Sequence, residues 1–74
     1  RKEFWKILNR CLEKLNERQR DVFTMRELEE QNAEEICDKL DICSSNLWVL
    51  LHRARLQLKT CLEQNWLNTR HGQS

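Results

Sequence analysis

The sequence predicts an all-α fold: a four-helix domain containing a helix-turn-helix with a long C-terminal recognition helix. Three observations predict it. Gly occurs once and Pro not at all, and β-branched residues are few, which leaves little for strands or tight hairpins. Apolar residues recur at helical spacing in separate stretches along the chain. Asn stands ahead of two of those stretches, at Asn16 and Asn32, with Gln19 and Glu35 three residues further on. That spacing lets the Asn side chain accept from a first-turn amide, as in a capping box.

Size and composition narrow the function. A 74-residue chain buries only ~60% of the surface its unfolded form exposes. So thin a core favours a binding module over a self-contained enzyme pocket, and no catalytic residue, cofactor or small-molecule substrate is expected. The net charge of +1 hides an asymmetry. Residues 1–43 hold nine Lys/Arg against eleven Asp/Glu, whereas residues 44–74 hold Arg53, Arg55, Lys59 and Arg70 against Glu63. An acidic front and a basic back suit a module that meets nucleic acid with its C-terminal half.

The first helix is expected over Lys2–Leu15. Phe4, Leu8, Cys11 and Leu15 form its apolar stripe, flanked by Trp5, Ile7 and Leu12. Lys2, Lys6, Arg10 and Lys14 repeat every four residues on another, solvated side. The second helix, Glu17–Glu29, starts at the Asn16 cap with Glu17 in a first turn that favours an anion. Val22, Phe23, Met25 and Leu28 supply its core side, and the acidic run Glu27, Glu29, Glu30 ends it. The third, Ala33–Leu40, is short and offers Ala33, Ile36, Cys37 and Leu40 to the core. Asp41, Ile42 and Cys43 then make a three-residue turn, the spacing of a helix-turn-helix. Asp41 falls where the chain needs a left-handed residue, and Ile42 is placed to plug the angle between the helices.

The fourth helix, Ser44–Asn65, organises the rest. Leu47, Leu51, Ala54, Leu58, Cys61 and Leu62 follow one face. The opposite face carries Ser45, Val49, His52, Arg53 and Leu56. A buried stripe, a thin polar tip and basic residues one turn in can enter a DNA major groove. Residues 1–67 make the domain, and the polar stretch 68–74 is expected to fray as a disordered tail.

The cysteines give no metal signature. Cys11, Cys37, Cys43 and Cys61 form no CxxC, and His52 and His71 complete no zinc-finger spacing. Cys11, Cys37 and Cys61 fall on apolar faces, where a reduced cysteine acts as a small hydrophobe. The reading is a reducing, cytoplasmic compartment. No apolar run approaches the ~20 residues of a membrane span.

These residues resemble a known family. LNERQRDVFTMREL, AEEICDKLDIC and LWVLLHRARLQL are similar, in that order, to the C-terminal domain of bacterial RNA polymerase sigma factors, with the extracytoplasmic-function group nearest. The matching positions are Leu15, Arg18, Arg20, Val22, Phe23, Glu34, Glu35, Ile36, Ile42, Leu51, Arg53, Ala54 and Arg55. Asn16 stands where the family commonly has Pro, Glu30 and Asp41 where it has Gly, and Cys43 where it has Ser. Trp48, Val49 and Leu50 replace basic or small polar residues and form an apolar patch.

The resemblance implies recognition of the minus-35 promoter element and transcription initiation. It also implies docking on the flap of the polymerase β subunit, and capture by an anti-sigma factor. The DNA-binding residues expected are Ser44, Ser45, Trp48, Val49, His52, Arg53 and Arg55. Arg53 fits a bidentate guanine contact, and Arg55 fits a phosphate contact or an ion pair with the second helix. Ser44 and Ser45 sit among first-turn amides that can hold a phosphate. Two other readings stay open. One is a LuxR-type output domain, although LHRAR stands where that family has a different start. The other is a protein-interaction module built on Trp48, Val49 and Leu50 that never touches DNA.

Overall fold

The computed structural model describes the backbone of residues 2–73 and the side chains of residues 2–65. Four helices form and no strand appears among the described residues: α1 (Lys2–Lys14), α2 (Glu17–Phe23), α3 (Ala33–Leu40) and α4 (Ser44–Gln73). The all-α helix-turn-helix architecture expected from the apolar spacing is the one adopted.

Local sequence sets the boundaries. The Asn16 side chain accepts from the Gln19 amide at 2.9 Å, and the Asn32 side chain accepts from the Glu35 amide at 2.9 Å. Each cap satisfies one of the amides that a helix start leaves without an internal partner. At the end of α3, Asp41 takes a left-handed conformation, φ 55° and ψ 54°. The Ile42 amide then donates to the Cys37 carbonyl at 3.1 Å, the six-to-one bond that closes a helix C-terminus.

The second helix departs from expectation. It is α-helical only to Phe23 and continues as a π-helical turn over Thr24–Leu28. The Glu29 amide reaches the Thr24 carbonyl at 2.9 Å and the Gln31 amide reaches the Met25 carbonyl at 2.9 Å. A left-handed Glu30, φ 56°, closes this wide end. The wider turn shifts residues off the α-helical register. Leu28, expected in the core, is consequently 45% exposed.

Two small cores hang on α4. In the first, Ile7, Leu8, Cys11, Leu12 and Leu15 of the α1 segment pack on Ala54 and Leu58. In the second, Val22 of α2 and Ile36 of α3 pack on Leu47 and Leu51. Phe23 touches both. The first half of α4 is therefore set by the helix-turn-helix, and its middle by α1. Ile42 packs against the second core, which is the plugging role its position implies.

Three further expectations are corrected. Phe4 and Trp5 do not cover the core. They are exposed at 41% and 52% and lie edge to face, ring centroids 5.7 Å apart. Cys11 and Cys61 are joined as a disulfide and are not separate reduced hydrophobes. Both lie on the stripes that α1 and α4 turn towards each other, and their Cα atoms are 5.8 Å apart, within the range a disulfide spans. Finally, α4 runs past Asn65 to Gln73. No Gly or Pro stands between Asn65 and Gly72 to stop it. The helical backbone continues through residues 68–73 of the stretch expected to fray, and Ser74 lies outside the described residues.

Candidate nucleic-acid interface

The candidate interface is built from the turn upward. Residues 41–43 aim the start of α4 away from α3. The Leu47 amide donates to the Cys43 carbonyl at 3.0 Å, so Cys43 occupies the cap position of α4. Its thiol shares a hydrogen bond with the Ser45 hydroxyl at 3.2 Å. That contact, followed by a hydrogen bond from the Asn46 backbone, lowers the thiol pKa below its usual 9.0. A cysteine at this position thus replaces a Ser cap with a thiolate-favouring one. The arrangement follows from the same helix-start donors that stabilise anions.

Arg18 braces the turn from outside. Its Nη1 donates to the Leu40 carbonyl at 2.7 Å, satisfying one of the carbonyls that the end of α3 leaves open. The link before α3 is held by a side-chain chain. Arg26 donates to the Gln31 carbonyl at 3.3 Å, Gln31 donates to Glu29 Oε1 at 2.7 Å, and Lys39 donates to Gln31 Oε1 at 2.9 Å. Sequence reading missed these braces. Arg18 belonged to the family-like string, but nothing in its spacing announced a partner twenty-two residues away.

All seven residues expected at the interface are exposed: Ser44, Ser45, Trp48, Val49, His52, Arg53 and Arg55. The structure brings five of them, Ser45, Trp48, Val49, His52 and Arg53, to the outward side of the first half of α4, whereas Ser44 lines a depression against α3 with Ala33 and Cys37. Trp48 at 48% and Val49 at 45% exposure join Leu56 at 52% in an apolar band. Leu50 does not belong to that band, because it packs against the second core. Arg55 follows Trp48 about two turns along the same flank and is already engaged. It forms an ion pair with Glu27 of the π-helical turn. Two residues along a helix turn through ~200°, so Arg53 and Arg55 stand on opposite flanks. Among the described residues this is the one ion pair, and it involves neither His52 nor Arg53.

A second surface lies between α1, α2 and α4. Phe4, Leu8, Phe23, Leu58 and Leu62 line an apolar depression of about 400 Å³, with Arg55, Lys59 and Glu63 on its rim. Among the described residues no group of three or more His, Cys, Asp or Glu is placed to hold a metal ion. No described helix is long and apolar enough to cross a membrane.

A short helix, a braced three-residue turn and a long helix with an exposed outer face make the layout of a helix-turn-helix. Residues 5–58 match the family model Sigma-70, region 4. The chain belongs to that family. It is also similar to a probable RNA polymerase sigma factor of Haemophilus influenzae, with 48% identity over 62 residues. The match covers 84% of this chain and 32% of that relative, so the chain spans about a third of the relative's length. No solved structure matches. Sigma-70 region 4 membership accounts for the order of the motifs: the capped second helix, the short third helix and the LHRAR stretch of α4 all lie inside the matched span.

Proposed function

We propose that this region 4 domain reads the minus-35 promoter element by placing the first half of α4 in the major groove. It would do so as part of a sigma factor of the extracytoplasmic-function group that directs RNA polymerase to promoters. The observation that carries this reading is the outward face of α4. Ser45, Trp48, Val49, His52 and Arg53 are all exposed, while Leu47 and Leu51 on the same turns are buried at 0% and 1%. The face is therefore packed from behind and exposed in front.

Roles follow from position. Ser44, Ser45 and the first-turn amides receive a phosphate. Arg53 donates to a guanine edge, and His52 reaches a phosphate or base edge. Trp48 and Val49 pack on thymine methyls or sugars. Arg55, paired with Glu27, orients α4 against α2 and contributes little to reading.

Two protein partners belong to the same reading. The apolar depression walled by Phe4, Leu8, Phe23, Leu58 and Leu62 is the surface we assign to the flap of the polymerase β subunit. The exposed Trp48, Val49 and Leu56 band is the surface we assign to an anti-sigma factor, because exposed apolar patches mark partner surfaces. Fluorescence anisotropy with a promoter duplex and a scrambled duplex tests the central statement. Tighter binding to the promoter duplex supports it. Equal binding to both refutes it and leaves the protein-interaction reading.

A further inference from the structure

We propose that Cys11 and Cys61 form a reversible thiol–disulfide site that latches α1 onto α4 and is opened by a low-molecular-weight thiol. The inference rests partly on the proposed function. A protein that works on bacterial DNA meets a compartment where thiols are kept reduced, and disulfides formed there are usually transient or redox-sensing. The remaining support is structural.

The bond is reachable from one side. Cys11 is 1% exposed, whereas Cys61 is only partly buried. A cavity of about 340 Å³ opens over the pair, lined by Cys11, Lys14, Leu56, Thr60, Cys61 and Gln64 among others. An incoming thiolate therefore meets Cys61 first. Polar and charged groups border the bond. Asn65 Nδ2 lies 3.4 Å from Cys61 Sγ and donates to the Cys61 carbonyl at 2.8 Å. Lys14, one turn beyond Cys11, brings a positive charge to the same cavity wall.

The exchange balances with two equivalents of thiol. A thiolate RS⁻ attacks Cys61 Sγ, the bond to Cys11 breaks, and its electron pair leaves on Cys11 Sγ, which takes up a proton. A second thiolate attacks the R sulfur of the mixed disulfide and releases the Cys61 thiolate, which is protonated in turn. The products are RSSR and two cysteine thiols. The thiols are oxidised by two electrons and the protein disulfide is reduced by two. RSSR drives the reverse reaction.

The two-core architecture makes the latch local. Cys11 belongs to the core that joins α1 to the middle of α4, and Cys61 packs against it. The core that holds the helix-turn-helix, Val22, Ile36, Leu47 and Leu51, contains neither. Reduction should loosen α1 and the stretch 55–65 while leaving α3 and the start of α4 in place. The bond closes a loop over a separation of 50 residues, so its loss should be plainly visible in stability.

The test uses the full chain in buffers of reduced and oxidised glutathione, without DNA, so that its failure is distinct from failure of the promoter-reading proposal. Alkylation and mass spectrometry read the state of each cysteine. The expected result is one two-electron transition within the accessible glutathione range. The melting temperature should fall by roughly 10 °C or more on reduction. Hydrogen exchange should quicken in α1 and 55–65 with α3 and 44–51 still protected. The Cys37→Ser, Cys43→Ser double variant should keep the transition, and Cys61→Ser should abolish it. Because Cys61→Ser can fail to fold, the wild-type chain in each buffer carries the decision. A pair that stays oxidised at the most reducing ratio is a fixed structural bond and overturns the proposal. So does a pair that never closes at the most oxidising ratio, or a loss of protection that is uniform along the chain.

Discussion

Leu51 and Trp48 are three residues apart on α4 and show opposite physics. Leu51 is 1% exposed at the centre of the helix-turn-helix core. Leu51→Ala removes buried carbon and leaves a cavity, which costs ~2–5 kcal/mol. Thermal unfolding should show a fall of many degrees. Its burial was legible because the 4, 3, 4 spacing of apolar residues leaves one solution for the inward face. Trp48 was not legible, because it falls on the shoulder of that face, where a helix angle alone permits folding back or standing out. It stands out, 48% exposed, and is absent from both cores. Trp48→Lys should therefore leave the melting temperature within a degree or two and raise affinity for promoter DNA through an added phosphate contact. A melt lowered by ten degrees would show that the indole covers the fold after all. Cys11 and Cys61 were each read correctly onto apolar stripes. That the two sulfurs meet depends on how far along α4 the first helix docks, which no one-helix pattern contains.

At the scale of elements, caps were readable, as was the left-handed end of α3 at Asp41, but the ends of the second helix and of α4 were not. Asn16 and Asn32 cap as their spacing implied, because an N-cap is a contact between residues two or three apart. The π-helical end of the second helix was hidden, since it arises from the Glu29-to-Thr24 and Gln31-to-Met25 bonds, and the sequence of that stretch is ordinary for an α-helix. The turn before α4 carries two predictions. Asp41 is held left-handed at φ 55°, which costs an L-residue about 1–2 kcal/mol, against roughly 0.5–1 kcal/mol for the added chain freedom of Gly. Asp41→Gly should stabilise the domain by about 0.5–1 kcal/mol in urea unfolding. Cys43 carries the second. The Ser45 hydroxyl and the Asn46 backbone lower its pKa from 9.0. A depressed folded pKa means that the folded chain holds the proton less tightly than the unfolded chain. The thiolate's contribution to stability is present above pH 9 and is lost as the pH falls through the folded value. Iodoacetamide should label Cys43 in the folded chain at a lower pH than it labels the same residue in urea. Coinciding pH profiles would remove the cap interaction, and Ser45→Ala should bring the two profiles together.

Across the whole molecule, the long α4 ties the packed half of the domain to the half proposed to read DNA. One side of α4 is spoken for along its described length, by the α2–α3 core around Leu47 and Leu51 and by the α1 core around Ala54 and Leu58. On the proposed reading, what remains for DNA is a narrow face with few positive charges. Affinity should accordingly be modest, and its dependence on salt shallow, because each phosphate neutralised adds only ~0.9 to the slope of log K against log salt. The division of labour between the two arginines follows from their surroundings. Arg53 is exposed and outside the one ion pair among the described residues. Arg53→Ala should lose ~1–3 kcal/mol on the promoter duplex and much less on a scrambled one, since a guanine contact discriminates. Arg55 is already partnered by Glu27, an exposed pair worth at most about 1 kcal/mol to the fold. Its charge is offset before any phosphate arrives. Arg55→Ala should leave both the promoter preference and the salt slope unchanged, whereas Glu27→Gln should release Arg55 and steepen the slope by up to about 1. Salt titrations of the two variants with one duplex decide the matter. A slope that falls by a full phosphate in Arg55→Ala would mean that Arg55 leaves Glu27 for the DNA backbone, and the pair would then be a resting contact that binding breaks.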